Sequence, residues 1–299
     1  MNCLRTLPYL RAWHERYADV GLEVVGVHAP EFRFARSREQ VRAAVGRLGM
    51  RWPVMLDNEF RLWSAYANSY WPSLYLIDTA GYIRFRHAGE GNYAAIERAI
   101  QRLLAESGKA VPFDEVVPPV RPEDAPGALC LPTTPELHMD AIGNPGPLAT
   151  VPMLFAAPPQ RSDGHFYLEG LWRAVDEGWT LAGEQGGIVL PYHAASVNAV
   201  LAASPDPVDF ALSLYNPAEV QLSQDGQPLP KDHFAEDVYL AQGQARVRVD
   251  VPRMYALVRN PDVRQRELRL DVRGQGLTLY AFSFGSCLAG EIDSLRPLE

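Results

Sequence analysis

Whatever thiol chemistry this chain can do rests on three cysteines, Cys3, Cys130 and Cys287. Cys3 stands at the start of a helical pattern, with Pro8 five residues further on. Unpaired backbone N–H groups and the helix dipole stabilise negative charge at such a position, which favours the thiolate, the form that attacks disulfides. Cys130 and Cys287 have no partner at a convincing spacing and read as exposed spare thiols. Three cysteines are too few for a disulfide scaffold and lack metal-ligand spacing, and the seven histidines form no HxxxH or HExxH pair. A structural metal is therefore not expected, and nothing calls for a cofactor. Trp172 and Trp179 would offer flat faces on which a sugar ring could stack; the competing reading is core packing. No Ser–His–Asp order, phosphate loop or paired-carboxylate motif stands out.

The elements that must position Cys3 alternate along residues 4 to 107. Leu4 to Tyr17 reads as a helix with Leu7, Leu10, Ala12, Trp13 and Tyr17 on its apolar side. Leu22 to Val27 is a short apolar run of the kind found in buried strands. Ser37 to Leu48 reads as a second helix, opened by a capping box of Ser37 with Gln40. Pro53 to Leu56 reads as a short strand and Glu59 to Ala67 as a third helix. Ser73 to Asp78 and Tyr82 to His87, joined through Gly81, read as a β-hairpin. Asn92 to Glu106 is a last amphipathic helix, with Gly108 just beyond it.

Beyond residue 107 the texture changes. Ser107 to Pro135 holds seven prolines and almost no periodicity, so 108–135 reads as an extended linker. Short alternating runs follow at Gly187 to Tyr192, Ser196 to Ala202, Phe210 to Tyr215, Glu219 to Ser223, Ala245 to Val251, Glu267 to Arg273 and Leu277 to Phe284. Seven short strands separated by turn signals such as Asp225-Gly226 argue for a β-sandwich over 136–299. The expected fold is thus an α/β domain over 1–107, a Pro-rich linker, and an all-β sandwich.

Composition agrees with two globular domains. The 299 residues are 47% hydrophobic and 21% charged, with a formal net charge of −8 that disfavours nonspecific nucleic-acid binding. Residues 1–107 carry 14 Arg/Lys against 11 Asp/Glu, and the remainder 14 against 25. No stretch approaches the roughly 20 apolar residues of a membrane span. Met1 to Leu10 reads as helix with an arginine inside it, not as a signal peptide.

Three stretches, taken together, resemble a known family. Asn2-Cys3-Leu4-Arg5-Thr6-Leu7-Pro8-Tyr9-Leu10 is similar to the C-x-N-C-L-R-T-L-P-Y-L run of DipZ-type proteins, within the TlpA-like branch of the thioredoxin superfamily. Gly26-Val27-His28-Ala29-Pro30-Glu31-Phe32 is the second match. Tyr70-Trp71-Pro72-Ser73-Leu74-Tyr75-Leu76-Ile77-Asp78, followed by Gly81 and Gly89-Glu90-Gly91, is the third. The resemblance implies a thioredoxin-like first domain in which Cys3 is the second, resolving cysteine of the redox pair. It implies a cis peptide before Pro72 facing that pair, and a Trp71 backbone that pairs with an incoming peptide strand. Glu31 would exchange a proton with the resolving thiol, a task suited to a partly buried carboxylate; the alternative is a solvated loop residue. His28 nearby is expected only to pack. Later segments, among them Leu168-Glu169-Gly170-Leu171-Trp172 and Arg253-Met254-Tyr255-Ala256-Leu257-Val258, resemble the carbohydrate-binding-module-like sandwich of the same proteins.

In this pattern the first cysteine would lie immediately before Met1, preceded by an apolar central strand. The expectation is that the protein extends upstream, with that strand, that cysteine and a signal peptide or membrane region, and that a chain starting at Met1 would fold poorly and cycle little. The leading functional expectation is an extracytoplasmic thiol–disulfide oxidoreductase. Electrons would pass from a membrane thiol donor of the CcdA/DsbD kind to oxidised extracytoplasmic proteins, apocytochromes c among them. The alternative is a redox-inactive binding or scaffold protein whose sandwich takes a carbohydrate or protein ligand. A one-cysteine peroxidase fits poorly: its cysteine follows a P-x-x-x-T-x-x-C pattern, and the residues that would carry that pattern lie upstream of Met1-Asn2-Cys3.

Overall fold

The structure, a computed structural model, describes residues 2–111, 115–121, 124–126, 128–144, 150–206, 216–285 and 287–288. The chain forms two compact units, Met1–Pro126 and Gly127–Glu299. The first is an α/β region and the second a large antiparallel β-sandwich. Among the described residues no helix is long and apolar enough to cross a membrane.

The first unit is built from α1 (Asn2–Tyr17), β1 (Gly26–His28), α2 (Arg38–Arg47), β2 (Val54–Leu56), α3 (Arg61–Ala65), β3 (Ser73–Ile77), β4 (Ile83–Ala88) and α4 (Tyr93–Glu106). Tyr9, Trp13 and Tyr17 recur every four residues and so share one face of α1. They close on Tyr93, Ile96, Ile100 and Leu104 of α4, with Leu74, Leu76 and Phe85 of the hairpin packed against them. The rings of Tyr9 and Tyr93 stack at 3.6 Å. The expected apolar face of α1 is rotated slightly: Tyr9 is buried where Leu10 and Ala12 are only partly so. Ser37 caps α2 by accepting from the Gln40 amide at 3.3 Å. Its own amide donates to Phe34 O, so only one half of the expected capping box forms. β1 and β2 pair in parallel and β3 and β4 antiparallel, as two separate two-stranded sheets. Val27 and Met55 are exposed on the first sheet, as are Ile77 and Ile83 on the second. The expected strand from Leu22 begins only at Gly26, because Leu22 is drawn back onto the helical core and its amide onto Tyr17 O.

The segment after α4 departs from an extended linker. Val111 and Val117 pack on the α1–α4 core. The Val117 amide donates to Glu97 Oε2 at 2.7 Å and the Val120 amide to Tyr9 Oη at 2.9 Å. Tyr9 Oη in turn donates to Asp124, which Arg121 grips with two nitrogens. Prolines remove periodicity but leave the remaining backbone amides free to find side-chain acceptors, and here they do.

The second unit begins with β5 (Leu129–Cys130) and β6 (Met153–Phe155) and continues through β7 (Tyr167–Val175), β8 (Gly178–His193), β9 (Ser196–Ala202), β10 (Ala218–Gln224) and β11 (Gln227–Pro228). It ends with β12 (Tyr239–Ala241), β13 (Gln244–Val249), β14 (Arg253–Arg259), β15 (Gln265–Arg273), β16 (Thr278–Gly285) and β17 (Cys287–Leu288). Strand order is β12-β13-β10-β15-β8-β16-β9-β14. The long β8 belongs to both halves: residues 185–193 ladder with β15, and Trp179 and Thr180 with β16. Gly186 sits where it changes partners; a Cβ there would lie 2.5 Å from the Leu181 side chain and 3.0 Å from Glu169 O. β15 alternates strictly, with Arg266, Leu268, Leu270 and Val272 inside. The expected strand over Phe210 to Tyr215 lies outside the described residues.

Two expectations about this unit are corrected. Cys130 and Cys287 are not spare thiols: they lie opposite one another on β5 and β17 and form a disulfide. Trp172 and Trp179 are 0% and 1% exposed, so neither offers a face to a sugar. Their indole nitrogens donate inward, to Glu169 O and Met139 O, which satisfies the polar edge of a buried ring.

Candidate active site

The first turn of α1 places Cys3, a half-buried free thiol. The helix is pinned at this end by Arg5, whose Nη1 donates to Glu90 Oε1 at 2.9 Å, and by the buried Thr6, 3.5 Å from Tyr93 Oη. Glu90 lies in the loop before α4. Gly89, one residue earlier, donates its amide to Pro72 O at 2.8 Å. The Trp71–Pro72 peptide is cis, the geometry that the sequence resemblance implies. Trp71 Nε1 donates to Ala29 O at 3.2 Å, and its ring lies 4.2 Å from that of Trp63. Ala29 leads through Pro30 to Glu31. The contacts therefore run from α1 through Glu90, Gly89, Pro72 and Trp71 to the loop that carries Glu31. His28 only packs, its Nε2 2.8 Å from Ala35 O.

Electrostatics complete the circuit. Burial pushes the Cys3 thiol above the ordinary thiol value, and the carboxylates of Glu31 and Glu90 push it further in the same direction. Burial outweighs the lowering effect of the backbone hydrogen bond at Cys3, so the neutral thiol is favoured. Glu31 is exposed rather than partly buried, but its charge is felt at the thiol. Trp71 is 39% exposed and Tyr70 60%, so apolar surface beside the cis-proline is open. Arg5 and Glu90 were legible only as letters of a motif; their ion pair became a site feature once α1 and α4 were seen side by side.

A pH profile tests this electrostatic assignment. Alkylation of Cys3 by iodoacetamide, followed by mass, should show a midpoint above that of an ordinary thiol. In Glu31→Gln, which removes a negative charge that favours the neutral thiol, the midpoint should move to lower pH. An unmoved midpoint would separate Glu31 from Cys3.

A cysteine at a helix N-terminus and a cis-proline loop bound into the same circuit of contacts are marks of the thioredoxin family. A family profile described as "Thioredoxin like C-terminal domain" matches residues 139–285. Over 206 residues the chain is 33% identical to Protein DipZ of Mycobacterium tuberculosis, covering 67% of this chain and 29% of that protein. It is 27% identical over 105 residues to the thiol-disulfide oxidoreductase YkuV of Bacillus subtilis, covering 35% of this chain and 70% of YkuV. Among solved structures, a thioredoxin-like protein in its oxidised form matches at 26% identity and a TM-score of 0.33, covering 36% of this chain and 71% of that one. The chain belongs to the thioredoxin family, as a DipZ-like protein with the thioredoxin-like C-terminal domain. It spans under a third of the length of the DipZ proteins.

Proposed function

We propose that this chain is an extracytoplasmic thiol–disulfide oxidoreductase that reduces disulfides of exported proteins with electrons from a membrane thiol donor of the CcdA/DsbD kind. The observation that carries the reading is Cys3, a half-buried free thiol in the first turn of α1, in the same circuit of contacts as the cis Trp71–Pro72 peptide, with its thiol pushed up by burial and then by the carboxylates of Glu31 and Glu90. Homology to DipZ and to thiol–disulfide oxidoreductases supports it. The Cys130–Cys287 disulfide supports the compartment, since such bonds persist where the medium is oxidising.

Cys3 acts as the resolving thiol. The attacking cysteine, which the C-x-N-C resemblance would place immediately before Met1 and which is not among the 299 residues, would form a mixed disulfide with one sulfur of the substrate, and the substrate's other sulfur would leave as thiolate. Cys3 then loses its proton to Glu31 and attacks the attacking cysteine's sulfur. The mixed disulfide breaks, the second substrate sulfur leaves reduced, and the pair is left as an internal disulfide. Two electrons have passed to the substrate, and the membrane donor returns them by the same exchange in reverse. Pro72 and the Trp71 backbone present the substrate strand beside the thiol.

The test uses protein isolated from its native source. Cys3→Ala should lower reduction of insulin disulfides by about two orders of magnitude or more, because a mixed disulfide that cannot resolve accumulates. Non-reducing mass analysis should find that covalent complex. A Cys3→Ala protein that keeps its turnover and traps nothing would overturn the reading.

A further inference from the structure

The sandwich unit carries a second pair of sulfurs, Cys130 and Cys287, which the redox reading of Cys3 does not use. The pair is reachable: Cys130 is exposed and Cys287 half-buried. It also stands apart from the main sheet. Among the described residues β5 and β17 pair only with each other, Leu129 opposite Leu288 and Cys130 opposite Cys287. A ladder that short does not persist in water by itself, so the covalent bond is what keeps the two strands together. Firm anchors begin close by on both sides. Thr133 Oγ1 donates to His193 O at 2.6 Å, the Thr134 amide to the same oxygen at 2.9 Å, and the Thr134 hydroxyl to Asp163 Oδ1 at 2.6 Å. On the other strand Gly285 is held by the ladder to β9, and its carbonyl accepts from the Ala195 amide at 2.9 Å. What the disulfide alone holds is therefore the entry segment, residues 128–132, in which Pro132 has no amide to donate.

We propose that Cys130–Cys287 is a second thiol–disulfide exchange site, a clasp that a dithiol reductant opens while the sandwich stays folded. Attack falls on Cys130, the sulfur in solvent. One thiolate of the reductant bonds to Cys130 Sγ, the Cys130–Cys287 bond breaks, and Cys287 leaves as a thiolate that takes up a proton. The reductant's second thiol loses its proton and attacks the reductant sulfur of the mixed disulfide, and Cys130 leaves in turn and is protonated. Two electrons have passed to the pair, and the dithiol has become an internal disulfide. Once released, β5 loses its ladder, and residues 128–132 come free as far as Thr133. The eleven-stranded sheet keeps its own ladders, because neither β5 nor β17 belongs to it. A staple of the interior would behave otherwise: reagent would reach its sulfurs only after the sheet had opened. The cross-link stabilises by restricting the unfolded chain, so its loss lowers the melting temperature without unfolding the sandwich at room temperature.

Hydrogen exchange and thiol mapping of the full chain, with and without millimolar dithiothreitol and with no denaturant, test the clasp. Iodoacetamide, located by peptide mass, should mark Cys3 alone before reduction and Cys130 and Cys287 as well after it. Amides of residues 128–132 should then exchange at least about tenfold faster, while those of β15 stay as slow as before. With glutathione in place of dithiothreitol, the mixed disulfide should sit on Cys130 in at least about tenfold excess over Cys287. The single variants check that preference without the bond. The thiol at Cys130 in Cys287→Ser should alkylate at least about tenfold faster than the thiol at Cys287 in Cys130→Ser. The proposal is overturned if the bond yields only in denaturant that opens β15, if β15 loses its protection together with 128–132, or if glutathione marks Cys287 instead.

Discussion

Replacing Glu97 by alanine should cost the first unit about 3–5 kcal/mol, a large part of the roughly 5–15 kcal/mol that holds a domain together. The Glu97 side chain is 1% exposed, yet it accepts from four donors: Trp13 Nε1 at 3.0 Å, Tyr17 Oη at 2.6 Å, Arg16 Nη1 at 3.1 Å and the Val117 amide at 2.7 Å. It joins α1, α4 and the Pro-rich segment at one carboxylate. Alanine would remove the acceptor that Trp13, Tyr17 and the Val117 amide share, each lost buried bond costing about 1–3 kcal/mol, and would remove the Arg16–Glu97 ion pair. Urea unfolding followed by Trp fluorescence measures the loss; a change below about 1 kcal/mol would show that the hub is dispensable. A second readout is specific to the contact. Burial first, then the Glu97 hydrogen bond, pushes the Tyr17 hydroxyl up to about 12. In Glu97→Gln, which keeps the volume but removes the charge, the Tyr17 titration should move to lower pH.

Glu97 also shows where sequence reading stops. Its place on the helix over 92–106 was legible, because Ile96, Ile100 and Leu104 announce a 3.6-residue period; that this face would bury a carboxylate was not. Periodicity marks which side of a helix is apolar, but a buried charge is tolerated only by donors that arrive from distant segments. Cys3, Glu31 and Pro72 were visible because each sits in a short motif, and the structure ties their loops together. The buried positions of Trp172 and Trp179 were not visible, because a tryptophan in a strand has the same letters inside or out. β15 and β13 were read from strict alternation, one face wet and one dry. β7, β14 and the first part of β8 were not assigned as strands from pattern. β7 begins with buried residues on both faces and carries Gly170, and residues 178–181 of β8 are buried throughout, so a period of two is lost there.

Breaking the Cys130–Cys287 bond should be the largest single loss to the sandwich. The two cysteines are 157 residues apart, and in the chain-entropy account a cross-link over so long a loop removes about 5 kcal/mol of unfolded-state freedom, with measured values more often about 2–4 kcal/mol. Spacing alone cannot announce such a pair, because cysteine connectivity is not deducible from sequence. In the fold the reason is local: β5 enters the unit beside β17, in antiparallel register with Cys130 opposite Cys287. Cys130→Ser, Cys287→Ser and the double variant should all lose the same amount, since each removes the one cross-link, and the melting temperature should fall by roughly 5–15 °C. Thiol titration gives the independent check. The 299-residue chain should show a single thiol, Cys3, and all three after reduction and unfolding. Three thiols before reduction would return Cys130 and Cys287 to spare cysteines and remove the support they give to an oxidising compartment. A single thiol, with a sandwich that melts early once reduced, would mean that the domain keeps its full stability only where disulfides last.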